Sequence, residues 1–149
     1  MVIPTPLLAA YFPGWTARTG VPSLEAIAHS GFLREVPYIL IPGTRGRKLA
    51  NDFLSDLHIN PRILLELRDM ETLLDLGMQG LGVTFSYAFL AAKRLKNASP
   101  PGGEPPAVIV PLNLVESDSM AVLGHHRRRY LSWAAQAFIE TTREVFAYT

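Results

Sequence analysis

Three short stretches of the chain carry residues that could do chemistry. The first, Pro42-Gly43-Thr44-Arg45-Gly46, joins an apolar run to an amphipathic one. Such a turn brings unpaired backbone N–H groups and the positive end of a helix dipole together, and both attract anions. A carboxylate there gains about 0.3–1 kcal/mol from the dipole, up to ~2 kcal/mol when partly buried. Thr44 can add a hydroxyl bond and Arg45 charge-assisted ones. Equally, Thr44 can simply cap the helix while Arg45 points to water. The second stretch, Thr84-Phe85-Ser86-Tyr87, follows another apolar run. Hydroxyls beside aromatic walls suit a small organic acid, although Phe85 fits a core position as well. The third, His125-His126-Arg127-Arg128-Arg129, is the densest basic cluster. It could meet phosphate, but a solvated turn ahead of the last helix is the plainer reading.

Other combinations fail on spacing. Gly43, Gly46 and Lys48 do not reproduce a phosphate-binding P-loop, because no Ser or Thr follows the Lys. Asp69 and Glu71 suit a helix N-cap and its first turn better than an acid–base pair. Ser86, Asp118 and His125 lack the G-x-S-x-G elbow of a hydrolase. Adjacent His125 and His126 point apart on an extended chain, so no metal is expected. No cofactor is called for.

The elements that must position these groups follow from the apolar pattern. Thr5 and Pro6 open a helix to Phe12, and Ser23 caps one from Leu24 to Ser30, with Gly31 as its terminator. Pro37–Ile41 reads as a strand covered on both faces. A helix runs from about Arg47 to Leu57, with Leu49, Phe53, Leu54 and Leu57 in one stripe. Further strands are expected at Arg62–Leu67, Leu81–Phe85, Ala107–Leu112 and, more weakly, Met120–Gly124. Helices are expected at Met70–Gln79, Tyr87–Leu95 and Trp133–Phe146, capped respectively by Asp69, by none, and by Ser132. Strands alternating with ten-residue helices imply a mainly parallel sheet with helices on its faces.

Composition sets the outer limits. At 149 residues the chain is long enough for a real core, and 48% hydrophobic residues argue against disorder. With 11 Gly and 12 Pro it should be loop-punctuated, not a bundle. A net charge of +1 gives no strong basic field for nucleic acid. The absence of Cys excludes disulfides and cysteine chemistry within these residues. No apolar run approaches the ~18 residues of a membrane span, and no leader is visible, so a cytoplasmic soluble protein is the expectation.

The order of motifs goes further. Pro37, Tyr38, Ile39, Leu40 and Pro42 are followed by Pro61 and Glu66, then by Glu71-Thr72-Leu73-Leu74 and Gly80-Leu81-Gly82-Val83. Late in the chain come Val110-Pro111-Leu112 and Arg129-Tyr130-Leu131-Ser132-Trp133-Ala134-Ala135-Gln136-Ala137-Phe138. In this order, the series resembles the effector-binding domain of LysR-type transcriptional regulators. The resemblance implies an α/β lobe of a type II periplasmic-binding-protein-like fold. In that fold two lobes are joined by crossing strands and hold a ligand in the cleft between them. Met1–Pro4 matches the strand that enters the second lobe. Residues 1–106 would then be that lobe, and 107–149 the returning strands and C-terminal helix. The winged helix-turn-helix and most of the first lobe are not matched, and Val21–Val36 is longer than the pattern.

The resemblance implies a sensor, not an enzyme. An anionic small-molecule effector would contact Pro42, Gly43, Thr44 and Arg45 together with Thr84, Phe85 and Ser86. DNA would be read only by the absent helix-turn-helix, the full-length regulator would be a homo-oligomer, and no membrane would be involved. Two other classes stay open on the sequence alone. One is an enzyme or small-molecule-binding protein on the same scaffold, which convergent titratable groups with shifted pKa values would favour. The other is an interaction module, in which the final helix must find a surface for Trp133, Phe138 and Val145.

Overall fold

Apolar runs of period two and stripes of period 3.6 alternate along the first two-thirds of the chain, and strands and helices alternate with them. The computed structural model describes residues 1–112, 122–126 and 128–147. The chain divides into two units, Met1–Ser117 and Asp118–Thr149. In the first unit the order is β1 (Val2–Pro4), α1 (Thr5–Tyr11), a 3-10 turn (Ala17–Thr19), α2 (Leu24–His29), α3 (Phe32–Glu35), β2 (Pro37–Leu40) and α4 (Arg45–Asp56). It continues with β3 (Arg62–Glu66), α5 (Met70–Met78), β4 (Val83–Thr84), α6 (Ala88–Ala98) and β5 (Ala107–Ile109).

These strands form one sheet in the order β3-β2-β4-β1-β5. β2 runs parallel to β3 and to β4, whereas β1 is antiparallel to both β4 and β5. Four strands therefore share one direction and β1 alone opposes them, as the mainly parallel expectation requires. Alternation along each strand divides the core in two. Ile3, Tyr38, Leu40, Val83 and Val108 face a layer built from Leu8, Ile27, Phe32, Leu33, Phe53 and Leu54 of α1 to α4. Val2, Ile39 and Ala107 face the opposite layer, built from Leu73, Leu74, Met78 and Ala91 of α5 and α6.

The caps explain where several helices start. Ser23 Oγ accepts from the Ala26 N–H at 3.1 Å, and Asp69 accepts from the Thr72 N–H at 2.7 Å. Both were legible as N-caps. Thr5 is a correction, because it is the first helical residue of α1 and caps nothing. Its hydroxyl donates to Pro105 O at 2.6 Å and its N–H to Pro106 O at 2.9 Å, which ties the start of the chain to the entrance of β5. Gly31 ends α2 as expected, at a φ of 83°, but it also opens the short α3, which the periodicity did not reveal.

Strands come out shorter than their apolar runs. β4 keeps only Val83–Thr84 of the expected Leu81–Phe85, and β5 stops at Ile109. Of the expected strand Met120–Gly124, residues 120 and 121 lie outside the described residues, and Val122–Gly124 form no strand. The second unit contains α7 (Trp133–Ala147), where Ser132 Oγ accepts from the Ala135 N–H at 3.3 Å. Trp133, Phe138 and Val145 on that helix are exposed.

Two details make β2 the keystone of the sheet. The buried Tyr38 hydroxyl donates to Leu33 O at 2.6 Å, and burial pushes its pKa up. Tyr38→Phe removes that donor and strands the carbonyl, so it should cost about 1–2 kcal/mol in urea unfolding. Gly82 lies against β2 so closely that a Cβ would sit 2.7 Å from Pro37 O. Backbone would have to move, and Gly82→Ala should cost about 1–3 kcal/mol. An unchanged unfolding midpoint in either variant would contradict this account of β2.

Candidate functional site

Parallel strands bring their C-terminal ends to one end of a sheet, where α/β proteins bind ligands. Here β2, β3 and β4 all reach that end and each passes within a few residues into a helix, α4, α5 and α6 respectively. β2 lies between the other two, so the loop Ile41–Thr44 is flanked by Leu67–Asp69 and by Phe85–Tyr87. Three helix N-termini with positive dipole ends are thus grouped by topology.

Their electrostatics differ. The Asp69 carboxylate occupies the N-terminus of α5, accepting from the N–H and the hydroxyl of Thr72 at 2.7 and 2.6 Å. Those bonds hold its pKa below the usual carboxylate range. The start of α5 is therefore already served by an internal anion. At α4, Thr44 Oγ1 accepts from the Arg47 N–H at 3.1 Å, so Thr44 is the cap. That bond serves only the third position of the helix and leaves the first two amides to other partners. The N-cap residue of α6 is Tyr87, whose side chain makes no capping bond. An external anion would thus meet the fewest internal competitors at α4 and α6.

The charged neighbours are mostly paired. Arg47 bonds Glu66 at 2.6 Å and Asn51 at 3.0 Å, and Lys48 bonds Asp52 at 3.1 Å. Farther along the opposite helical layer, Asp75 and Arg94 form a two-pronged pair that joins α5 to α6, with one prong at 2.6 Å. The Arg94 guanidinium holds the Asp75 carboxyl below its ordinary range. Among the described residues, the two carboxylates with displaced pKa values are thus accounted for by a cap and by a helix–helix tie.

The structure distributes the expected site residues unevenly. Pro42, Gly43 and Thr44 are exposed on one loop, and Arg45 is exposed at the first position of α4. Ser86 is half-buried on the adjoining one, its hydroxyl donating to Tyr87 O at 3.4 Å. Phe85 points beneath the loop. It stacks on Tyr38 at 6.2 Å and meets Phe53 edge-on at 6.3 Å, so it belongs to the core. The exposed aromatic surface comes instead from Tyr87 and Phe89, stacked at 6.2 Å, with Phe89 69% exposed. Phe89 went unnoticed in the sequence. Its signal was its place off the inward stripe of Leu90, Ala91 and Leu95.

Thr84 is the unusual member. It is fully buried, and Oγ1 has no hydrogen-bond partner among the described residues. Gly77 explains how it is sealed, since a Cβ at that position would lie 2.9 Å from the Thr84 methyl. The bare glycine lets α5 close directly onto β4. His125 and His126 are exposed, and no group of three metal-ligating side chains occurs among the described residues. Arg127 lies outside those residues.

A family model, the LysR substrate binding domain, matches residues 25–147. The chain belongs to that family. LysR substrate-binding domains are parts of transcriptional regulators, not an enzyme family. A solved structure described as HinK, a LysR family transcriptional regulator from Pseudomonas aeruginosa, superimposes with a TM-score of 0.52 at 18% identity. The match covers 96% of this chain and 42% of that one, so the chain spans about two-fifths of the length of HinK. No curated protein matches. The fold is accordingly the mixed α/β, periplasmic-binding-protein-like fold of LysR substrate-binding domains, and the expected fold class stands. Among the described residues, no helix is long and apolar enough to cross a membrane.

The Thr84 hydroxyl has no partner among the described residues, and a buried hydroxyl left without one costs stability. Thr84→Val keeps the shape and removes the orphan oxygen. It should leave stability unchanged or raise it by up to ~1 kcal/mol in thermal unfolding. A loss above that size would show that the hydroxyl has a partner in solution.

Proposed function

We propose that this chain is the effector-sensing part of a LysR-type regulator, and that its effector is an anionic small molecule. The observation that carries the proposal is the pairing of two neighbouring helix N-termini, at α4 and α6, on adjacent loops at one end of a parallel sheet. Pro42, Gly43, Thr44 and Arg45 would line one side. Ser86 would line the other, with Phe85 and Thr84 beneath it. In this reading residues 1–106 form one lobe and 107–149 supply the returning strands and the C-terminal helix. Support comes from β1 and β5, which lie side by side and antiparallel, as entering and leaving strands would. The ligand would sit in a cleft against a second lobe and bias a two-state arrangement of a homo-oligomeric regulator. That arrangement would control DNA binding by a helix-turn-helix outside these residues, in the cytoplasm where the DNA is.

The test is thermal-shift screening of the chain with small carboxylates against their neutral amides. A ligand at a hundred times its Kd stabilises by about 2.7 kcal/mol. Acids should raise the melting temperature and amides should not. Thr44→Ala and Ser86→Ala should each weaken the apparent affinity by about threefold to tenfold, in keeping with the loss of one hydrogen bond. Thr44→Ala also loses a cap, about 0.5–2 kcal/mol of stability without ligand, which the ligand-free melt reads separately. Acid binding that neither substitution changes would remove the site assignment.

A further inference from the structure

The second unit carries a charged segment of its own. Between Asp118 and Glu140 the sequence has no acidic residue, and within that stretch stand two His, three Arg, Tyr130 and Trp133. His125, His126, Arg128 and Arg129 are exposed. Arg128 and Arg129 make no ion pair among the described residues. Tyr130 at 85% and Trp133 at 83% are the most exposed aromatic side chains among those residues. Unpaired guanidinium groups therefore alternate with open aromatic faces over a few positions, with no carboxylate nearby in sequence to neutralise them.

Local hydrogen bonds shape the segment. The Arg129 N–H donates to His126 O at 3.1 Å and the Arg128 N–H to His126 Nδ1 at 3.3 Å, which closes a turn. Because Nδ1 accepts, Nε2 of the neutral ring carries the hydrogen and is a donor. Gln136 Nε2 donates to Leu131 O at 3.1 Å, and Ser132 caps α7, so the chain from Tyr130 to Trp133 is tied to the start of that helix. The first turn of α7 holds no acidic residue, and the positive end of its dipole is not neutralised from within.

We propose that this segment binds single-stranded nucleic acid, with His126, Arg128 and Arg129 on phosphates and Tyr130 and Trp133 stacked on bases. Single strands are held by this combination, because cations follow the backbone while every base offers a face to an aromatic ring. Three residues separate the two rings' backbones by at most about 10 Å, within reach of neighbouring bases. A duplex keeps those faces stacked inside and gives the rings nothing to meet. An anionic membrane would suit Trp and Tyr, but α7 continues with Glu140 and Glu144 against a single Arg143, and anionic lipid repels that balance. The net charge of only +1 on the whole chain does not oppose the proposal, since exposed charges act over about 10 Å at ordinary ionic strength. The binding is weak and salt-sensitive, with a Kd on the order of 10 µM. It uses residues of the second unit alone and needs no small acid, so it is independent of the effector reading.

Fluorescence anisotropy of labelled oligothymidine and oligouridine strands, titrated with the full 149-residue chain, tests it. Both strands should bind, and a duplex of the same length should bind at least about tenfold more weakly. Trp133→Ala and Tyr130→Ala should each weaken binding by about fivefold or more with the salt dependence unchanged, while Trp133→Phe stays within about threefold of wild type. Arg128→Ala and Arg129→Ala should each flatten the slope of log affinity against log salt by about 0.7. All these side chains are exposed, so circular dichroism should not change. No binding of either strand at millimolar protein in low salt overturns the proposal. So does a complex indifferent to both aromatic substitutions, or a duplex bound as tightly, since either result leaves phosphate attraction alone. Binding to phosphatidylglycerol vesicles in place of the strands overturns it in favour of a membrane surface.

Discussion

The first unit is organised by the need to bury β2 on both faces. Tyr38 and Leu40 on one side and Ile39 on the other are almost wholly enclosed. A strand in that position needs parallel neighbours whose crossovers are helices, because only helices cover both faces of a sheet. β3 and β4 supply the neighbours, α4 and α5 are the crossovers, and the two helical layers follow. Local devices then bring these layers close. Gly82 lets the approach to β4 lie on the backbone of Pro37, and Gly77 lets α5 lie on Thr84. The Tyr38 hydroxyl reaches back to the end of α3.

The same constraint creates the candidate site. Once β2, β3 and β4 run in one direction, their following helices must all start at one end. The charge available to a ligand then depends on what each start already holds. Asp69 neutralises α5 from within, whereas α4 has a neutral hydroxyl cap and α6 has no side-chain cap. In the proposed reading, an anion would be held by backbone amides and dipoles, since Arg47 and Lys48 bond Glu66, Asn51 and Asp52. The cost of this arrangement is visible in Thr84, a hydroxyl enclosed without a partner among the described residues.

Much of this was legible in the residues, but unevenly. Short-range chemistry read well. Ser23, Asp69 and Ser132 cap helices in the structure, and Gly31 adopts the left-handed conformation of a helix terminator, at a φ of 83°. Where an outcome depended on distant partners, reading failed. Thr5 looked like a cap, yet its hydroxyl bonds Pro105, a hundred positions away. Phe85 read as either wall or core, and the choice fell to Tyr38 and Phe53, which enclose it. Ile63, Leu64 and Leu65 have the composition of a buried strand. Their exposure follows only from the position of β3 at the end of the sheet.

The sequence by itself determined the class of fold, the family and the order of most elements, α3 excepted. These rest on periodicity, caps and turn glycines, which act over a few residues and leave a mark at each. It also placed two loops with anion-binding potential at the ends of strands. Tertiary structure decided which of their residues face outward. It turned Phe85 inward and Phe89 outward, sealed Thr84 behind Gly77, and left one apolar edge open at β3. The physical reason is that burial belongs to pairs of elements. A side chain's own chemistry sets what it gains from being covered, and only the packing of distant segments settles whether anything covers it.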